Sequence, residues 1–211
     1  GKKPVSAVII THAHADHFGG VLGVVTPKEV ADRTVPVVAP EGFMEEATSE
    51  NIMVGTAMAR RSLYQFGRDL PRNAKGNVDT GLGKDVAYGT IGIIVPTVLV
   101  TQPEQKMDID GVGFVFYNAP GAECPAEMTF SIPAKRLYDG AENLSQQMHN
   151  LLPVRGAKVR DALRWSNYMD HALEQVRDAD VYIASHNWPV WGNASIKKLI
   201  TMHRDVYKYT H

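Results

Sequence analysis

Three histidines and a carboxylate fall within six residues in the stretch Thr11-His12-Ala13-His14-Ala15-Asp16-His17-Phe18-Gly19-Gly20. Neutral imidazoles and carboxylates are donors that suit Zn²⁺, and less selectively Fe or Mn. His12 and His14 lie two apart, so an extended segment points them the same way. Asp16 and His17 come after a bend and can face a second direction. One short segment can therefore feed two neighbouring metal positions. The pattern H-x-H-x-D-H behind an apolar run is too specific for a merely solvated polar loop. Three further donors, Glu123, Glu142 and His186, each stand just after an apolar extended run. If those strand ends converge on one edge, seven donors are available. That is enough for two metal spheres, with one carboxylate shared between ions roughly 3.5–4 Å apart.

These donors need elements to hold them. The motif follows directly on Val5-Ser6-Ala7-Val8-Ile9-Ile10, a short β-branched run that reads as a buried strand. Gly19-Gly20 lets the backbone turn before the next element. Thr26 ahead of Pro27 reads as the cap of a short helix. A second strand is expected over 35–39 and helix over 43–66, broken in two near 49–51 and Gly55. Residues 67–90 are rich in Gly, Asn and Asp and read as a long surface loop of the kind that forms lids. Lys84, Tyr88 and Thr90 on that loop are candidates for substrate contact, which ordinary loop polarity explains equally well. Further strands are expected over 91–95, 98–101, 113–117, 127–132 and 181–184, with a hairpin turning on Asp110-Gly111. The apolar spacing from Val159 to Val176 predicts an amphipathic helix, and a last helix is expected over 194–209 with Asn193 as its cap. Strands interleaved with helices, and too many strands for one short sheet, imply an α/β domain of two packed sheets with helices outside.

The chain has 211 residues and is 44% hydrophobic, enough for one domain with a sizeable core. A net charge of −1 gives no reason to expect nucleic acid or an anionic membrane surface as partner. The single cysteine, Cys124, excludes an internal disulfide, and beside Glu123 it reads as a packed thiol in preference to a ligand. No apolar run is long enough for a transmembrane helix. The strand over 5–10 needs neighbours on both sides, yet only a few residues precede it. We therefore expect the sequence to be cut from a longer chain.

Several stretches form a set that runs the length of the chain: Thr11–Gly20; Ala39–Gly42 with Phe43-Met44-Glu45; Arg60-Arg61; Gly81-Leu82-Gly83; Pro120-Gly121 with Glu123 and Pro125-Ala126-Glu127-Met128; Ala141-Glu142-Asn143; His149-Asn150-Leu151; Arg155-Gly156-Ala157 with Arg160-Asp161; and Ser185-His186 with Trp188-Pro189 and Trp191-Gly192-Asn193. The first resembles the signature of the metallo-β-lactamase superfamily. The whole set resembles its alkyl sulfatase family, enzymes that hydrolyse dodecyl sulfate and related alkyl sulfate esters.

The resemblance implies an αββα sandwich lacking its N-terminal strands. It makes residues 1–211 the catalytic domain of a longer chain whose dimerisation and C-terminal sterol-carrier-like domains lie elsewhere. It implies two Zn²⁺ ions. His12, His14 and Glu123 would hold one, Asp16, His17 and His186 the other, and Glu142 would bridge them. Arg155 matches an arginine that binds the sulfate group, a bidentate grip that a guanidinium suits. The implied partner is a small alkyl sulfate, with no nucleic acid and no membrane span. Full-length relatives of this kind would be homodimers in a bacterial periplasm or secreted. If hydroxide attacks sulfur, an alkoxide leaves and needs a proton donor, for which Tyr88 is a candidate. If water attacks carbon, sulfate leaves unaided. Phe43, Met44, Met58, Leu63, Tyr64, Trp188 and Trp191 are candidates for an alkyl channel, and His149 for support of the ligands from behind. Two rival readings stand beside this one. One is another hydrolase of the superfamily, a thioesterase or lactamase. The other is a truncated core that binds zinc without turnover.

Overall fold

Val37, Val38 and Ala39 are all buried. Strand β2 (Val37–Pro40) therefore has no solvent face and must be covered on both sides. In the computed structural model, which describes residues 3–84 and 89–211, β2 is the centre of an all-parallel sheet. Its neighbours are β1 (Val8–Ile9) and β3 (Val98–Val100). Successive residues of a strand face opposite ways. Val37 and Ala39 turn outward to Phe18, Val30, Phe43 and Ala47. Those side chains come from α1 (Ala15–Phe18), α2 (Pro27–Ala31) and α3 (Phe43–Thr48). Val38 turns inward, to Val100, Phe116, Met128 and Phe130.

Phe116, Met128 and Phe130 belong to a second sheet. It runs in sequence order through β4 (Glu104–Ile109), β5 (Val112–Asn118), β6 (Met128–Ile132), β7 (Leu137–Asp139), β8 (Val181–Ile183) and β9 (Val190–Trp191). Neighbours pair antiparallel except β7 and β8, which are parallel because helix α5 (Ala162–Gln175) crosses between them. The outer face of this sheet offers Tyr117, Tyr138 and Tyr182 to Trp165 and Met169 of α5 and to Ile196, Ile200 and Tyr207 of α6 (Asn193–Thr210). Three apolar interfaces therefore stack as helix, sheet, sheet, helix, and this is the αββα architecture the sequence implies. Among the described residues no helix is long and apolar enough to cross a membrane.

Local chemistry explains most boundaries. Thr26 forms a full capping box with Glu29, with Pro27 in the first turn of α2. The helical stretch 43–66 divides at a π-helical turn, Ser49–Met53, between α3 and α4 (Gly55–Gln65). Several expectations change. The buried strand expected over 5–10 is reduced to Val8–Ile9 at the edge of its sheet, with Val5 exposed. Residues 91–95 join no sheet: Gly92 donates to the Gly19 carbonyl, and Ile91, Ile93 and Val95 stay exposed. Gly192, not Asn193, caps α6. The Asn193 amide instead donates to the carbonyls of Val176, Arg177 and Ala179, closing the end of α5. The short strand β9 was unexpected, because two residues give no readable alternation.

Candidate metal centre

Strands β5, β7 and β8 run in the same direction, so the loops after them leave one edge of the second sheet. Those loops carry Glu123, Glu142 and His186. The segment after β1 reaches the same edge. Met128 donates to the Thr11 carbonyl at 2.9 Å, and His12 lies in a β-bridge opposite Glu127. Two of the loops bend sharply beside their donors. Ala141, before Glu142, and Asn187, after His186, have φ of 49° and 74°, a left-handed conformation that costs non-glycine residues about 1 kcal/mol or more. Gly140 sits where any Cβ would lie 2.3 Å from the Tyr182 hydroxyl, so only glycine lets this loop pass.

All seven predicted donors meet at this edge, in two groups whose candidate atoms lie within 4.8 Å of one another: His12, His14, Glu123 and Glu142; and Asp16, His17 and His186. Glu142 touches both. Its Oε2 lies 3.0 Å from His12 Nε2 and 3.1 Å from His17 Nε2, and its Oε1 lies 3.7 Å from His186 Nε2. Asp16 Oδ2 lies 3.1 Å from His17 Nε2 and 3.4 Å from His186 Nε2. His14 presents its other nitrogen, Nδ1, 3.0 Å from Glu123 Oε2.

Charge is concentrated here to an unusual degree. Glu123, Glu127 and Glu142 are all buried. Burial, and then the Glu123 charge, pushes the Glu127 carboxyl up to about 8. Burial would also raise Glu142, but hydrogen bonds from His12, His149 and His17 outweigh it and hold this carboxyl well below the usual range. Burial would lower His17, but Asp16 and Glu142 outweigh it and carry the ring up to about 9. His12 goes the other way, down to about 4, through burial and the neighbouring His17 charge. The donor set fits a metal. Glu123 Oε2 is buried without a hydrogen-bond partner and lies 3.0 Å from His14 Nδ1, a pair of donor atoms close enough to serve one cation. Mixed imidazole and carboxylate donors are those zinc takes.

The surroundings hold residues that sequence reasoning valued too little. Arg160 is buried; it ion-pairs with Glu123 Oε1, donates from Nε to the Glu123 carbonyl at 2.5 Å, and donates to the Asn150 carbonyl at 2.8 Å. His149 Nε2 lies 3.0 Å from Glu142 Oε1, so the ring supports this candidate donor from behind. Glu50, on the π-helical turn, faces His14 Nε2 at 3.8 Å and Arg155 Nη2 at 3.7 Å. Arg155 lies beside the cluster, with Nη2 3.2 Å from His14 Nε2. Tyr88 lies outside the described residues. The centre opens into a cleft of about 810 Å³. Its walls include Ile52, Met58, Phe66, Leu82, Ile91 and Ile93. Of the candidates for an alkyl channel only Met58 lines it. Phe43 is core, and Tyr64, Trp188 and Trp191 are exposed.

Four layers with a histidine–carboxylate cluster at the sheet edge define a recognisable class. Residues 1–109 match the family described as the Metallo-beta-lactamase superfamily, and the chain belongs to that superfamily. Within it, the chain is 46% identical over 211 residues to the alkyl/aryl-sulfatase BDS1 of Saccharomyces cerevisiae, covering 100% of this chain and 33% of that protein. It is 45% identical to a linear primary-alkylsulfatase of Pseudomonas sp., covering 99% of this chain and 31% of the relative. The structure of the stereoselective inverting sec-alkylsulfatase Pisa1 from Pseudomonas sp. superposes with a TM-score of 0.95 at 43% identity, over 99% of this chain and 33% of that one. The metallo-β-lactamase DIM-1 shares the fold alone, with a TM-score of 0.56 at 13% identity over 98% of this chain and 68% of that one. The chain spans about a third of the length of the curated relatives it matches.

Proposed function

We propose that residues 1–211 are a catalytic domain that hydrolyses alkyl sulfate esters to alcohol and sulfate with two zinc ions. The observation that carries this reading is the convergence of two donor groups on one carboxylate, Glu142, at the floor of an apolar cleft. The names of the relatives supply the substrate class. His12, His14 and Glu123 would hold one zinc, Asp16, His17 and His186 would hold the other, and Glu142, close to both groups, would be shared. Zinc, when bound, supplies Lewis acidity and makes hydroxide available near neutral pH. Arg155 grips the sulfate oxygens through its guanidinium fork. Apolar walls such as Met58 and Ile93 take the alkyl chain out of water, worth ~0.8 kcal/mol per methylene.

Attack at carbon is the favoured course, because the solved relative is described as inverting and inversion needs the C–O bond to break. Sulfate then leaves without a proton donor, and Tyr88 is not required. The test measures zinc by elemental analysis and sulfate release from dodecyl sulfate in ¹⁸O-water. Two zincs per chain, sulfate release and label in the alcohol are expected, with Arg155→Lys losing about 100-fold in kcat/KM at unchanged zinc content. Two zincs without sulfate release would sink the sulfatase reading, and label in the sulfate would sink attack at carbon.

A further inference from the structure

Glu127 directly precedes β6, is fully buried, and belongs to neither donor group. Its Oε2 accepts from the N–H of Glu123 at 2.9 Å and of Cys124 at 3.1 Å, and its Oε1 accepts from the N–H of Glu142 at 3.2 Å. Its main chain is tied to a third segment. It bridges to His12, and the next residue, Met128, donates to the Thr11 carbonyl at 2.9 Å. One residue thus reaches all three segments that present His12, Glu123 and Glu142. Neither carboxylate ligand stands on a strand or helix, so no ladder fixes the separation of their backbones. The two oxygens of a single carboxylate are rigidly spaced and can do so.

A neutral side chain would be easier to bury beside two other acids. Yet an amide of the same size offers one acceptor oxygen and turns an N–H group on the other loop. Only a carboxyl group, with acceptor lone pairs on both oxygens, can accept from both loops at once. We propose that Glu127 is a positioning residue of the metal centre, clamping the Glu123 and Glu142 backbones so that their carboxylates meet the His12 ring at a set distance. The proposal rests on the metal-centre reading above. It is separate from simple satisfaction of buried N–H groups, because it predicts a change in the metal's surroundings as well as in stability.

Cobalt(II) serves as the probe, since its visible absorption reports the number and geometry of its donors. The wild-type chain is titrated beside Glu127→Gln and Glu127→Asp, in competition with a chelator, with circular dichroism and thermal melting run on each. Tyr138→Phe is the control. It removes a buried hydroxyl bonded to Thr129 and Gln175 at 2.8 Å, away from the donors. Expected are folded Glu127 variants that bind cobalt about 10- to 100-fold more weakly with an altered spectrum. The control should melt lower yet keep the wild-type spectrum. A Glu127→Gln protein with the wild-type spectrum and affinity within about twofold would overturn the proposal. Failure of both Glu127 variants to fold would overturn it too, making Glu127 a residue of folding and not of positioning. If the wild-type chain takes up no cobalt, the metal-centre reading itself falls, an outcome distinct from either.

Discussion

At the scale of single residues, the rings in the cluster differ in which nitrogen they offer. His12, His17 and His186 turn Nε2 to the carboxylates, whereas His14 turns Nδ1. Nδ1 lies nearer the backbone, so His14 can reach the common position from closer in, as the extended residue immediately before α1. Its Nε2 is left facing Arg155, and this brings the proposed sulfate-binding group to the metal cluster. Asp139, at the end of β7, accepts from the Ala141 N–H at 2.8 Å and so shapes the bend before Glu142. Burial raises its carboxyl to about 6, against that hydrogen bond. A carboxyl raised in the folded state is ionised more easily in the unfolded chain. The stability that Asp139 contributes in the metal-free protein is therefore fully present below about pH 4 and is lost as pH rises through about 6. Asparagine can accept the same hydrogen bond without the charge. Asp139→Asn should match the wild type near pH 4 and exceed it by about 1 kcal/mol or more at pH 7 in urea denaturation of the metal-free protein. Equal stability at both pH values would show that Asp139 is not strained by its charge.

At the scale of elements, two opposite walls of the cleft come from a helix and a failed strand. Helix α4 contributes Met58, Ala59 and Ser62 from one side, and residues 91–93 close the other. The alternation Ile91, Ile93, Val95 reads as a strand, and its period is that of extended chain. What the pattern cannot say is that these side chains meet a cleft and solvent instead of a sheet. The donors were legible for the opposite reason. Their chemistry is carried by residue type, and each stands just past an apolar strand, so local sequence suffices. Glu127 and Arg160 were not legible as parts of the site, because they act only on residues that the fold brings to them. A carboxylate immediately before the apolar run Met128–Ile132 was the available signal. Ala59 offers the test of the cleft wall, since it is exposed on α4 and a larger side chain need not disturb the core. Ala59→Trp should displace about two methylenes of a bound chain, ~1.6 kcal/mol, and so raise KM for dodecyl sulfate about tenfold with little effect on a four-carbon sulfate. Equal effects on both chain lengths would place the alkyl group elsewhere.

At the scale of the whole molecule, the three apolar interfaces hold four layers together, while the edge where the sheets meet gathers charge that opposes folding. Buried Glu123 and Glu142 are ionised beside Arg160 and the protonated rings of His14 and His17, and burial with the Glu123 charge raises the carboxyl of Glu127. Cations bound to the native state alone stabilise it by mass action, ~4 kcal/mol at 1,000 times Kd. For a chain of this size each kcal/mol moves Tm by roughly 2–4 °C, so a chelator should lower Tm by roughly 8–16 °C. The shift must depend on pH. In the metal-free protein Asp16 and Glu142 hold a proton on His17 up to about pH 9, and a metal has to displace it. The sign is that of a base raised in the folded state. Its stabilising contribution is fully present below about pH 6.5 and is lost as pH rises through about 9, so the metal-free form weakens while competition from protons falls. Melting curves with zinc and with chelator should therefore draw apart between pH 6 and pH 9. A separation that stays constant or narrows over that range would mean that His17 does not exchange its proton for a metal.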